Sequence, residues 1–324
     1  MNDTITRAPR KMLALAALLA ALIGLVLAAA GCDASGAQPE EDAFDWRYEV
    51  ISGSCLRLTG GPSGGGELTL PEIIDGMPVT AVGSRAFASG KMTRVILPES
   101  VTSLEEGAFE GCESLAEINL ASVAAVENKA FSGCANLKRA DFGGNLTRIG
   151  DGAFEKCLRL EEITLPEGLT VIGSSAFADC VSLKNPVLPA SLVSVGDFAF
   201  MGCQSIDSAA LGGAAYGRGV WMDCRRLREV TFNGFSGRIS DYLFAGCVSL
   251  PKISLPEDVT AVGDSAFRYC AGLTRAEIPG TVVHIGRDAF AGCDSVVIAA
   301  PALSAAHRYA ASSGIPFENT SPQP

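Results

Sequence analysis

Apolar residues along most of the chain follow neither a strand period nor a helix period over long windows. Instead one short block returns every 22 or 23 residues. Residues 153–173, AFEKCLRLEEITLPEGLTVIG, show it most clearly. Glu162-Ile163-Thr164-Leu165 alternates polar and apolar, the pattern of a half-buried strand. Pro166 ends the strand because it has no N–H for a ladder. A second apolar pair, Leu169 and Ile172, closes at Gly173, and the Ala-Phe-x-x-Cys turn brings the chain back. A unit this small cannot bury its own apolar side. Stacked on copies of itself it can, which gives a parallel sheet and a continuous core.

The register is set by Cys112, Cys134, Cys157, Cys180, Cys203, Cys224, Cys247, Cys270 and Cys293. Three residues before each stands a large aromatic, from Phe109 to Phe290, with Trp221 in one unit. Three residues after each stands Leu, Ile or Val. Phe87 opens the series with Gly90 in the Cys slot. The pattern resembles the BspA-like (Treponema-type) leucine-rich repeats: Gly107-Ala108-Phe109-Glu110-Gly111-Cys112 and Ser249-Leu250-Pro251-Lys252-Ile253-Ser254-Leu255-Pro256 follow its consensus. The resemblance implies a repeat solenoid of about ten 22–23-residue units, each with one short parallel strand, capped at both ends. The N-terminal cap falls at 44–82, the repeats at 83–298, the C-terminal cap at 299–318 and a tail at 319–324. Two stretches depart from the pattern. Residues 140–146 lack the strand-ending Pro, and residues 209–220 lose both the Pro and the second segment, which marks a kink or an eroded unit.

The N-terminus carries a different signal. Arg7, Arg10 and Lys11 precede an uncharged apolar run over 12–30, then Gly31-Cys32. Ala29-Ala30-Gly31-Cys32 resembles a bacterial lipobox, with Ala29 where Leu is usual. The resemblance implies a lipoprotein signal peptide over 1–31, acylation of Cys32, a flexible tether over 32–43, and a chain lipid-anchored to the cell membrane outside the cytoplasm.

Composition narrows the chemistry. The net charge of −11, without a basic stripe, argues against nucleic acid. His284 and His307 are the only histidines, and no Cys-x-x-Cys pair exists, so neither a metal site nor a cofactor is expected. The repeat cysteines read as a ladder of small, buried apolar side chains with unpaired thiols rather than a disulfide framework. A serine hydroxyl in that column is expected to lack partners. Cys55 stands alone in the cap. The glycine run at 60–66 lacks the Lys-Ser/Thr of a phosphate loop, and no activated nucleophile is evident. The chain therefore reads as a non-enzyme.

What remains is the outward side of the Ile-x-Leu strands: Glu117 and Asn119, Arg139 and Asp141, Glu162 and Thr164, Glu229 and Thr231, Lys252 and Ser254, Arg275 and Glu277. These positions are polar and vary between units. Ten strands would form a face of roughly 45–50 Å, large enough for a protein partner. The expected function is cell-surface recognition of an extracellular or cell-surface protein. Resemblance to the BspA-like proteins implies adhesion to matrix or plasma proteins or to other bacteria. The alternative is a structural envelope lipoprotein with no host ligand.

Overall fold

The computed structural model describes residues 46–62 and 64–321, so Cys32, the signal peptide and the tether lie outside the described residues. The repeats form a solenoid of stacked parallel strands. The Ile-x-Leu strands expected from the sequence are present except at 185–188, and the structure adds a second strand to each unit, in the segment that ends on glycine. In one unit the two are Glu162–Thr164 and Val171–Ile172. The second strands are only two to four residues long, and their partners lie one unit away.

The second ladder starts on an antiparallel hairpin, Arg47–Ile51 with Cys55–Gly60. It then runs parallel through Met77–Val82, Ser103–Leu104 and four further strands to Ala215–Tyr216. It restarts at Gly237–Ile239 and ends at His284–Ile285. The first ladder is not the unbroken ten-strand face expected. It consists of Gly66–Thr69 to Glu117–Ile118, Arg139–Asp141 with Glu162–Thr164, Ser208–Leu211 with Glu229–Phe232, and Lys252–Ser254 to Phe317–Asn319. A single bridge, Leu120 to Phe142, joins the first two groups. The gap at 185–188 has a local cause. Pro186 cannot donate, and the Asn185 side chain takes over, its Oδ1 accepting from the backbone N–H of Asp207 at 2.9 Å and of Ser208 at 3.2 Å.

Between the ladders lies an aromatic column. Phe87, Phe109, Phe131, Phe154, Phe177, Phe200 and Trp221 stack with ring centroids 4.7–5.5 Å apart. A second stack runs from Phe244 through Phe267 to Phe290. Trp46 meets the first ring edge-on at 75°, and Tyr309 meets the last at 63°, so an aromatic from each cap closes the column. Tyr309 comes from the C-terminal helix Ala305–Ser313, capped by Ser304 and by left-handed Gly314.

The thiols form a second column, and the structure corrects their role. All nine repeat cysteines are buried and free. Each Sγ donates to the carbonyl of a column aromatic in an earlier unit: Cys112 to Phe87 at 3.0 Å, Cys180 to Phe154 at 3.1 Å, Cys247 to Trp221 at 3.2 Å. They are hydrogen-bonded donors, not apolar filler. Where Gly90 replaces cysteine, Met92 supplies the sulfur, since its Sδ lies 2.5 Å from where a Gly90 Cβ would stand.

Two further positions explain the glycines. The Asp151 carboxylate accepts the Ser174 N–H at 2.7 Å, and a Cβ on Gly173 would come within 2.5 Å of that oxygen. On the turn side, the residues five and one before each Cys are left-handed in every unit. Phe198 and Tyr269 occupy such slots, and their rings lie over Gly219 and Gly292 of the next unit.

Candidate functional site

The twelve face residues all lie along the outward side of the first ladder, but they are not equally available to a partner. Asn119 is engaged by the fold: its Oδ1 accepts the Leu97 N–H at 2.7 Å and its Nδ2 donates to the Leu97 carbonyl at 2.8 Å. Its side chain thus continues the ladder in place of a longer strand. Arg139 pairs with Glu162 at 2.9 Å and Asp141 at 3.3 Å, while Thr164 donates to Asp141. Glu117 pairs with Arg94, which also reaches Glu67. Charge therefore alternates along this column as Glu67, Arg94, Glu117, Arg139, Glu162, which sets each Arg between two Glu.

Arg275 makes a similar network at the other end, with Glu318 at 2.7 Å and Glu277 at 2.9 Å. The Glu318 carboxylate, then that of Glu277, holds the Arg275 guanidinium in its charged form. Arg275, with help from Ser254, in turn holds Glu277 below the usual carboxylate range. Glu229 and Lys252 make no ion pair among the described residues. With Thr231 they are the charged and polar groups on this side that the fold leaves free, whereas Ser254 is engaged with Glu277.

The structure also places residues on this side that the spacing rule missed. Val187 and Ala210 fill the column of Thr164 and Thr231, and Val187 is 81% exposed. Pro186 hides that unit from the Ile-x-Leu pattern. Beside them the shortened unit leaves a groove of about 230 Å³, lined by Leu188, Pro189, Leu192, Gly212, Gly213 and Tyr216 among others. Its cause is the two residues missing between Cys203 and Cys224. Gly212-Gly213 replaces the Pro-led corner that would cover Leu188 to Leu192. Tyr216 forms part of the wall, 9% exposed. Its hydroxyl accepts the Gly212 N–H at 2.9 Å, and burial pushes its pKa up. The irregular stretch expected to kink is therefore rebuilt around Tyr216 and the buried Trp221.

Burial raises the thiols of Cys157, Cys180, Cys203, Cys224 and Cys247 well above the ordinary value, opposite to the shift a nucleophilic thiolate needs. Among the described residues no three His, Cys, Asp or Glu side chains cluster as metal ligands, and no helix is long and apolar enough to cross a membrane.

A family model described as the BspA type leucine rich repeat region matches six copies over residues 80–207 and 215–304. The crystal structure of the pneumococcal vaccine antigen PcpA is 18% identical, covers 82% of each chain and superposes with a TM-score of 0.56. A leucine-rich repeat protein of T. pallidum is 24% identical over 87% of this chain and 98% of its own, with a TM-score of 0.42. A leucine rich cell surface protein from Faecalibacterium prausnitzii A2-165 is 20% identical over 90% and 97%, with a TM-score of 0.38. No curated protein matches the sequence.

Proposed function

The chain belongs to the BspA-type leucine-rich repeat family, and from that premise we propose that it is a non-enzymatic recognition protein displayed outside the cytoplasm. It is held there by a lipid on Cys32 and binds an extracellular or cell-surface protein through the outward side of the first ladder. The observation that carries this reading is the run Glu229, Thr231 and Lys252. These polar side chains point outward, change from unit to unit, and are not consumed by internal ion pairs. Exposed pairs such as Arg139–Glu162 add little to binding or stability, so they set register more than recognition.

Cells carrying the full chain are compared with cells carrying Glu229→Lys together with Lys252→Glu, on immobilised extracellular-matrix and plasma proteins. Protease shaving reports exposure. The expected result is adherence by the parent chain, reduced adherence and altered salt dependence in the double variant, and cleavage of the chain on intact cells. A chain that resists shaving, or variants that adhere equally, would favour the scaffolding reading. The self-paired charges from Glu67 to Glu162 are the feature that favours that second reading. Cys32→Ala should abolish acylation and release the protein from the membrane fraction; unchanged mass and fractionation would remove the anchor from the proposal.

A further inference from the structure

The groove left by the shortened unit has a chemistry of its own. None of its lining residues is charged. Val187 and Val193, 81% and 66% exposed, adjoin its lining residues Leu188 and Leu192 along the chain. The corner that follows the Ile-x-Leu strand carries Glu167 in the unit before the groove and Glu257 with Asp258 in the unit after the gap. All three are exposed and make no ion pair among the described residues. Between them the same corner reads Ala190, then Gly212-Gly213, then Asn233-Gly234, with no charge. The site is therefore an uncharged slot, part apolar and part polar, between two free acidic points on a chain of net charge −11.

We propose that this groove receives one apolar side chain from an extended segment of a protein partner, whose flanking basic residues reach Glu167 on one side and Glu257 on the other. The spacing sets the segment. Four inter-unit steps separate the two acids, roughly 19 Å at about 4.8 Å per step. An extended chain covers that distance in about six residues at ~3.3 Å each, so the anchor lies near the middle with a basic residue about three positions away on either side. The apolar anchor supplies affinity by leaving water, and the acids supply orientation and a salt-dependent on-rate. This inference rests on the protein-binding reading but uses none of the residues tested there, so each fails separately.

The probe is a blocked seven-residue peptide with lysine at both ends, a photoreactive leucine in the middle and serine or threonine between. Binding to the purified full chain is read by fluorescence anisotropy, and the photoproduct is mapped by mass spectrometry. Crosslinks should fall within residues 187–216. Replacing the central residue by alanine should weaken binding at least about tenfold, as loss of one buried aliphatic side chain does. Gly213→Leu should plug the groove without disturbing the fold, since a Cβ there meets nothing closer than the Gly234 carbonyl at 3.8 Å. It should weaken the peptide at least about tenfold while the melting temperature holds. Ala210→Phe serves as a second plug should that variant fold poorly. Glu167→Lys and Glu257→Lys should each weaken binding severalfold and flatten its dependence on salt. Full binding by both plugged variants, equal binding of a peptide with glutamate ends, crosslinks elsewhere, or a dimer of this chain that Gly213→Leu dissolves would overturn the proposal.

Discussion

Cys180→Ser and Cys180→Ala test the thiol column through the sign of one difference. Cys180 is fully buried, and its Sγ donates to the Phe154 carbonyl at 3.1 Å. That carbonyl also accepts the Cys157 N–H, so losing the thiol leaves it one partner rather than none. Alanine removes the sulfur and its donor. The lost volume costs about 0.5–1.5 kcal/mol, as for one deleted methyl-sized group, and the weak hydrogen bond adds about 0.5–1 kcal/mol. Serine loses similar volume but keeps a donor within reach of Phe154. A bonded hydroxyl avoids the desolvation cost that an apolar slot would impose. The serine variant should therefore be the more stable of the two by roughly 0.5–1 kcal/mol, or about 1–4 °C in Tm. Urea melts of the two purified variants, run alongside the parent, measure the difference. If alanine proves more stable than serine, the column is apolar filler after all and the hydrogen-bond reading falls.

Native alkylation at pH 8 should label Cys55, which is only half-buried, and spare Cys112 to Cys293 until denaturant is added; rapid native labelling of the repeat thiols would contradict their burial. The same burial raises the folded pKa of Cys180, Cys203 and Cys247 above the ordinary 9.0, so at these positions the unfolded chain loses protons first. Stability is then fully present below pH 9 and falls as pH climbs above it, by about 1.4 kcal/mol per pH unit for each such thiol; a flat urea midpoint from pH 8.5 to 10.5 would refute this. Gly219→Ala places a Cβ 2.6 Å from the Phe198 ring and should cost about 1–3 kcal/mol. Phe198→Ala should relieve part of that cost in a double-mutant cycle, and strict additivity would show that the ring is not the obstacle.

How much of this was legible follows from distance along the chain. The Phe and Cys columns announce themselves because each unit repeats them at one offset, and the solenoid follows. The second strand was visible only as Leu169, Ile172 and a closing Gly173, since a two-residue strand such as Val171–Ile172 has no periodicity to detect. Gly173 is required by Asp151 of the preceding unit, a contact that no local window contains. Alternation within each strand is enough to tell which side chains point outward. It could not tell that the Asn119 amide would bond the Leu97 backbone, or that Arg139 would be claimed by its neighbours. The groove left even less trace: a deletion is legible as a spacing of 21, but the space it opens depends on which side chains fail to fill it.

The aromatic column stacks without a break from Phe87 to Trp221 and again from Phe244 to Phe290, and the second ladder is cut at the same place, between Ala215–Tyr216 and Gly237–Ile239. In a linear array each unit is stabilised only through its neighbours, so a weak junction limits how far order propagates. The array is thus two cooperative blocks joined by a softer coupling. Under heat or tension the block beyond the junction, with only three stacked rings, should let go first and leave the N-terminal block intact. A chain held at its N-terminal end would then lengthen in steps under load rather than lose its whole fold at once.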